Sequence, residues 1–316
     1  MAEAAKAAHR GQRQPGGEAG ETRCGYVAIL GAPNVGKSTL VNALVGAKVS
    51  IVTPKVQTTR MRVIGIALAG VTQLVLVDTP GIFAPRRRLD RAMIAAAWKG
   101  ARDADVICLL LDAARGYDDD SKRIAAGLKE AGRRAVLVIN KIDRVARPPL
   151  LALAAEVNAE GGFTDTFMIS ALTGDGVADL RGFLAARMPP GPWLYPDDQL
   201  SDLPLRLLAA ELVREQVFLQ LHQELPYASA VEVESWEERK DGSARVNAVI
   251  YVQREGHRPI VLGKGGARIK AIGMAARKEI ELLLGRRVHL LLRVKVQEDW
   301  QDKPELYRAM GLDFDV

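Results

Sequence analysis

Cysteine is scarce in this chain. Cys24 and Cys108 are the two present among 316 residues; they stand at no metal-ligand spacing, and Cys108 lies inside an apolar run. That pattern argues for a reduced, cytoplasmic setting. Long apolar runs are missing too, none approaching the roughly 18 residues that span a bilayer. The first 22 residues contain no apolar segment, which excludes a secretory signal peptide, and Glu3, Glu18 and Glu21 speak against a transit peptide. Ala, Gly, Gln and both charge signs bury little surface, so residues 1–22 are expected to form a disordered tail. What remains is an ordinary soluble composition, 48% hydrophobic and 26% charged, long enough for two separate cores.

Negative charge is thin in one region. Between Arg245 and Gln297, twelve basic residues face three acidic ones, Glu255, Glu279 and Glu281, although the whole chain carries a net charge of only +6. A basic surface inside a balanced chain points to a polyanion partner; a solvated basic face is the plainer reading.

Pro189, Pro190, Pro192 and Pro196, with Gly191, preclude a regular helix or central strand, so residues 189–200 are expected to be a linker. It separates a first domain, 23–188, from a second, 201–316. Upstream, Tyr26–Leu30, Leu74–Val77, Val106–Leu111 and Ala135–Ile139 read as buried strands. Leu89–Lys99, Ser121–Ala131 and Leu150–Asn158 read as crossover helices. That alternation predicts an α/β fold with a mainly parallel sheet covered on both faces. Downstream, a helix over Leu203–Leu221 precedes strands at Ala228–Glu234 and Ala244–Val252. A helical region from Arg268 to Leu284, a strand at Val288–Val296 and a short helix over Asp302–Gly311 complete an α+β module.

The first half carries four motifs in order. Gly31-Ala32-Pro33-Asn34-Val35-Gly36-Lys37-Ser38 follows a strand and opens a helix, the context of a phosphate-binding loop. Its backbone N–H groups can cradle phosphate, Lys37 reaches the terminal phosphates, and Ser38 offers a hydroxyl to Mg²⁺. Asp78-Thr79-Pro80-Gly81 ends a buried strand, where Asp78 can hold Mg²⁺ and Gly81 can approach a γ-phosphate. Asn140-Lys141-Ile142-Asp143 supplies base recognition: a buried Asp143 carboxylate accepts from two guanine N–H groups and is left unsatisfied by adenine. Lys141 covers the base and Asn140 ties this loop to the phosphate loop. Ser170-Ala171-Leu172 suits a backbone donor to the base carbonyl. Any one of these is an ordinary loop; all four in order at strand ends describe a GTP-binding domain.

A mobile switch I is expected between Lys48 and Arg60, with Thr59 completing the Mg²⁺ shell and Thr58 the alternative. Ile82 stands where many small GTPases carry a water-orienting glutamine and cannot orient water by hydrogen bonding. Hydrolysis is therefore expected to be slow or to draw on charge from elsewhere. The amide oxygen of Asn34 is one candidate, as ligand to a monovalent cation such as K⁺; the plainer reading is that Asn34 shapes the turn.

In the second half, Gly263-Lys264-Gly265-Gly266 has the Gly-x-x-Gly form of a KH loop, in which glycines let a nucleic-acid backbone lie against the protein. Lys264, Arg268 and Lys270 add phosphate-binding charge. The helix that follows carries Ile269, Ile272, Ala276, Ile280 and Leu283 on about one face, and the loop sits centrally in the basic region.

From about Gly25 onward the chain resembles the Era family of bacterial GTPases. The resemblance includes Gln57-Thr58-Thr59-Arg60, Leu225-Pro226-Tyr227, Arg254-Glu255-Gly256 and Val294-Lys295-Val296. It implies a P-loop, Ras-like GTPase domain followed by a type II KH domain, in a monomer. It further implies binding to the 3′ region of 16S ribosomal RNA during small (30S) subunit maturation, with peripheral association at the inner face of the cell membrane. Ala32 departs from a common arginine, and Gly-Lys-Gly-Gly from a more familiar Gly-Asn-Lys-Gly. The alternatives are an RNA-binding module in which GTP is mainly structural, and a GTPase acting on another RNA process such as tRNA modification.

Overall fold

The computed structural model describes residues 21–85, 87–222, 224–298, 300, 304, 307 and 310–316. The tail expected at 1–22 falls almost wholly outside the described residues, as does most of the helix expected over Asp302–Gly311. The chain forms two compact units, one comprising Glu21–Leu203 with Lys303–Val316, the other built on Pro204–Asp302.

The first unit is a six-stranded sheet in the order β2-β3-β1-β4-β5-β6. Its strands are β1 (Arg23–Gly31), β2 (Val63–Ala69), β3 (Thr72–Asp78), β4 (Val106–Asp112), β5 (Ala135–Asn140) and β6 (Phe163–Ile169). Only β2 runs antiparallel to its neighbour; the other pairings are parallel. The apolar runs are continuous because both faces are covered. Cys108 and Leu110 of β4 join one core, where α1 (Lys37–Val45) and α5 (Val177–Arg187) contribute Leu40, Leu44, Leu180 and Leu184. Ile107, Leu109 and Leu111 join the other, packed by α2 (Arg88–Asp103), α3 (Asp119–Glu130) and α4 (Arg147–Ala159). With period-two alternation, one strand feeds two cores.

The expected linker is instead part of this unit. Leu194 and Tyr195 donate their N–H groups to Oε1 of Gln73 at 2.9 and 3.0 Å, and Gln73 Nε2 donates to the Tyr195 carbonyl at 2.8 Å. Ile66 N–H reaches Leu200 C=O at 2.9 Å, and Ser201 Oγ donates to Ile64 C=O at 2.7 Å. The prolines do preclude regular structure. The buried amide of Gln73 and the open edge of β2 nevertheless give this segment partners, moving the boundary to Leu203. The C-terminal residues also belong to this unit: Arg88 lies over the Phe314 ring, 4.5 Å from its centroid, and Arg91 Nε donates to Val316 C=O at 3.3 Å.

The second unit has a three-stranded sheet of β7 (Ser229–Glu238), β8 (Ala244–Val252) and β9 (Val288–Val296), with β7/β8 antiparallel and β8/β9 parallel. The helices α6 (Leu205–Gln220), α7 (His257–Leu262) and α8 (Ala267–Leu284) accompany it. Val213, Val217, Ile250, Val252, Ile272, Ala276 and Val294 form the shared core. Several elements lie outside the expected set, β2, α5 and the six-residue α7 among them. β2 is short and carries a glycine, and Gly182 interrupts the helical pattern of α5.

Candidate functional site

The parallel strands end at Gly31, Asp78, Asp112, Asn140 and Ile169, so the loops that follow meet along one edge of the sheet, where open α/β folds bind ligands. They border a cleft of about 410 Å³ lined by residues from all four expected motifs and from the 51–59 segment.

The phosphate loop turns its carbonyls toward the protein. Lys37 Nζ donates to Gly31 C=O at 3.0 Å and Ala32 C=O at 2.9 Å. Asn140 Nδ2 donates to Val35 C=O at 2.8 Å, and Lys141 Nζ to Asn34 C=O at 2.6 Å. With carbonyls held from behind, the loop's N–H groups are left to face a phosphate. Gly31 has φ 156°, and a Cβ there would stand 2.7 Å from the Leu110 carbonyl; Gly36, at φ 100°, would strike the Asn140 amide at 2.4 Å. Burial pushes the Lys37 ammonium down to about 8, with the Asp78 charge pulling the other way.

Ser38, Thr59 and Asp78, the three residues expected to ligate metal, lie together. Ser38 Oγ donates to Asp78 Oδ2 at 2.7 Å and lies 2.9 Å from Thr59 Oγ1, which is itself 3.4 Å from Asp78 Oδ2. Asp78 Oδ1 is buried without a hydrogen-bond partner among the described residues. Hard, closely spaced oxygens with an unpartnered carboxylate atom fit Mg²⁺. Burial pushes the Asp78 carboxyl up, opposed by the Ser38 hydrogen bond and the Lys37 charge, and a divalent cation reverses such a shift. Thr58 is turned elsewhere, with its hydroxyl 2.6 Å from both Thr53 Oγ1 and Lys55 C=O.

Asn34 adopts a left-handed conformation, φ 64°, and its Nδ2 donates to Pro54 C=O at 3.0 Å, so its amide nitrogen ties the phosphate loop to the 51–59 segment. Thr79 is buried, donating to Ile29 C=O at 2.7 Å. Pro80 is buried, and Gly81 packs against Pro33, where a Cβ would stand at 3.0 Å. Ile82 is buried in the sheet core and its N–H reaches Gly31 C=O at 3.2 Å, so it presents nothing to a water.

The base loop departs from expectation in two respects. Asp143 is exposed rather than buried, on a short helical turn at the cleft rim, with Oδ1 accepting from Ser170 Oγ at 2.6 Å. A carboxylate in contact with water is not stranded by a mismatched base, so discrimination by desolvation requires the bound base to cover it. The Ala171 N–H is already donated to Asn140 Oδ1 at 2.9 Å, and the Ser170 N–H to Asp175 C=O at 2.9 Å. Of the three residues, exposed Leu172 has the N–H with no described partner. Sequence reading missed Asp112 and Arg115, which also reach this loop system. A carboxylate at the end of β4 was the available signal.

In the second unit, Gly263, Gly265 and Gly266 all have positive φ, 72°, 59° and 77°. A Cβ at Gly263 would stand 2.9 Å from Arg268 N, whereas one at Gly265 meets nothing within 4 Å. Gly263, Lys264 and Arg268 share a shallow concavity of about 320 Å³ with Ala267, Ala271 and Gln220; Lys270 is exposed but outside it. Arg268 also braces α7, donating from NH1 to Ile260 C=O at 2.9 Å. The local basic excess is smaller than the linear count, because acids from β7 cross the sheet. Arg286 pairs with Glu238 at 2.5 Å and Lys295 with Glu234 at 2.5 Å.

Among the described residues, no helix is long and apolar enough to cross a membrane. The family described as a 50S ribosome-binding GTPase matches residues 26–141, and the KH domain family matches residues 224–301. GTPase Era of Bradyrhizobium sp. is 58% identical over 301 residues, covering 95% of this chain and 98% of that protein. GTPase Era of Rhizobium meliloti is 61% identical over 293 residues, covering 93% and 94%. The crystal structure of Era in complex with MgGDPNP and nucleotides 1506–1542 of 16S ribosomal RNA matches with a TM-score of 0.87 at 40% identity, covering 92% of this chain and 99% of that one. A point variant of Aquifex aeolicus Era bound to GDP·AlF4⁻ matches with a TM-score of 0.87 at 40% identity, covering 92% of this chain and 99% of that one.

Proposed function

Because this chain belongs to the Era family of GTPases, we propose that it is a GTP-hydrolysing switch whose KH unit binds the 3′ region of 16S ribosomal RNA and which assists small-subunit maturation. GTP is the substrate and the chain is a GTP hydrolase. The observation that carries the reading is the convergence of Lys37, Ser38, Thr59, Asp78, Asn140 and Asp143 on one cleft. The RNA assignment draws on the glycine loop ahead of α8 and on the Era complex, which holds both MgGDPNP and the 16S fragment.

In this reading Lys37 places its charge on the terminal phosphates and the loop N–H groups hold them. Ser38, Asp78 and Thr59 supply the oxygens for Mg²⁺, which when bound neutralises charge on the β- and γ-phosphates. Asp143 reads the guanine N–H groups, the Leu172 N–H takes the base carbonyl, and Lys141 covers the ring. Gly81, beside Pro33, senses the γ-phosphate. Ile82 leaves water without a side-chain guide, so intrinsic turnover is slow. Asn34 Nδ2 is engaged by switch I, which leaves Oδ1 as the atom for K⁺, and turnover in K⁺ then exceeds turnover in Na⁺ at matched ionic strength. The family resemblance extends the reading to a monomer in peripheral contact with the inner membrane face.

Asp143→Asn tests the base reader. The amide donates to the xanthine carbonyl that replaces the guanine amine, so preference moves from GTP toward xanthosine triphosphate. An unchanged GTP preference removes Asp143 from the role. Multiple-turnover hydrolysis with and without a 16S 3′ fragment tests the switch, with RNA raising the rate.

A further inference from the structure

Two residues outside the four motifs complete the support of the nucleotide loops. Asp112 ends β4 in parallel register with Asn140 at the end of β5, and the Ala113 N–H reaches Asn140 C=O at 2.8 Å. That register sets the Asp112 carboxylate beside the next residue, Lys141. Asp112 Oδ2 lies 2.6 Å from Lys141 Nζ, and its Oδ1 accepts from Ala114 N at 3.0 Å. The same Lys141 Nζ donates to Asn34 C=O at 2.6 Å. The ammonium is therefore held between a nearly buried carboxylate and the phosphate loop. A tight turn follows, with Arg115 N and Gly116 N both on Asp112 C=O at 3.0 Å. It presents Arg115, whose NH1 donates to Pro33 C=O at 2.9 Å and whose NH2 meets Asp118 at 2.5 Å.

We infer that Asp112, assisted by Arg115, is a positioning residue that fixes the Lys141 stem over the guanine ring and so sets how long the nucleotide stays bound. The inference rests on the reading of Asn140–Asp143 as the base loop. Lysine is a flexible four-carbon stem with a strongly hydrated head, and it covers a ring reliably only if that head is anchored. Asp112 is itself oriented by the Ala114 N–H and shielded from water, which preorganises the anchor. Arg115 does the corresponding work on the neighbouring carbonyl, so the loop tip at Pro33 and Asn34 is gripped at both residues. Neither residue touches phosphate or reads the base. Their loss therefore shortens residence without altering the preference for guanine over hypoxanthine, which stays with Asp143.

The test is displacement of a fluorescent GDP analogue from the full-length, Mg²⁺-loaded chain. Asp112→Ala is expected to speed release about tenfold, equivalent to about 1.4 kcal/mol. Asp112→Asn keeps an oxygen acceptor and restores release to within about threefold of the parent. Lys141→Ala is expected to match Asp112→Ala, and the double variant to be no faster than Lys141→Ala alone, because one anchor acts through the other. The GDP-to-IDP affinity ratio stays unchanged in Asp112→Ala. If Lys141→Ala accelerates release while Asp112→Ala leaves it within twofold, the inference is overturned. If neither accelerates release, the base-loop reading itself fails. Should Asp112→Ala not fold, Arg115→Ala carries the test, with release about threefold faster expected and parental release contradicting the role.

Discussion

Gln57 donates from Nε2 to Asp90 Oδ1 at 2.8 Å, joining the 51–59 segment to the first turn of α2. The other oxygen of Asp90 accepts from Arg87 N at 3.0 Å and closes that turn. One carboxylate thus caps the helix that follows Asp78-Thr79-Pro80-Gly81 and holds the segment that carries Thr59. Gln57 has φ 57°, a left-handed conformation that disfavours a side chain by about 1–2 kcal/mol, so its side-chain bond offsets backbone strain. The same helical turn also carries Arg88 over Phe314, which sets the C-terminal residues on α2.

Removing the two partners should separate cap from tie. Asp90→Ala removes the cap together with the tie and is expected to lower stability by about 1–2 kcal/mol in urea unfolding. Gln57→Gly relieves the backbone and breaks the tie while leaving the Asp90 cap in place, so stability stays within about 1 kcal/mol of the parent. Hydrogen exchange at residues 53–60 is nevertheless expected to accelerate. Equal stability losses in the two variants, with unchanged exchange, would contradict the division.

Lys37 gives a pH signature. Its folded value, about 8, lies below the ordinary 10.5, so between those values the unfolded chain holds a proton that the folded chain has lost. Stability from this group therefore rises with pH across that window, and the burial penalty is fully present below it. Without nucleotide or metal, the parent is expected to gain about 2 kcal/mol relative to Lys37→Met between pH 7 and 9.5. A difference between the two proteins that does not move with pH would show that Lys37 is not held charged in a buried setting at neutral pH.

The nucleotide half was readable because strand-end loops declare themselves locally. Gly31 and Gly36 are needed where a Cβ would strike Leu110 or Asn140, and Gly31, Asp78 and Asn140 close short buried runs that read as strands. What eluded the sequence depends on pairing between distant segments. Gln73 strapping Leu194 and Tyr195, Asp112 brought beside Lys141 by parallel register, and Glu234 and Glu238 crossing the sheet to Lys295 and Arg286 leave no periodic trace. The exposure of Asp143 was hidden for a related reason, because a rim position is set by how far the short helical turn projects.

The KH loop can be disabled without touching the GTPase core. Gly265 has open space around a would-be Cβ, and aspartate is among the residues that tolerate left-handed backbone, so Gly265→Asp with Lys264→Asp should fold. Two carboxylates facing a phosphate backbone are expected to abolish RNA binding and any RNA stimulation, while GTP binding and basal hydrolysis continue. Full RNA affinity in the folded double variant would remove the loop from the interface. Collapse of GTP binding would show that the two units do not hold separate cores.

The most direct measurement is the affinity of the full chain for an RNA carrying the 3′ end of 16S ribosomal RNA, compared between GDPNP and GDP at one fixed salt concentration. A switch that loads RNA in its triphosphate state binds at least about tenfold tighter with GDPNP, and crosslinked RNA recovered from that state maps to the 3′ region. Equal affinity in the two nucleotide states, or crosslinks confined to other RNAs, would contradict the account.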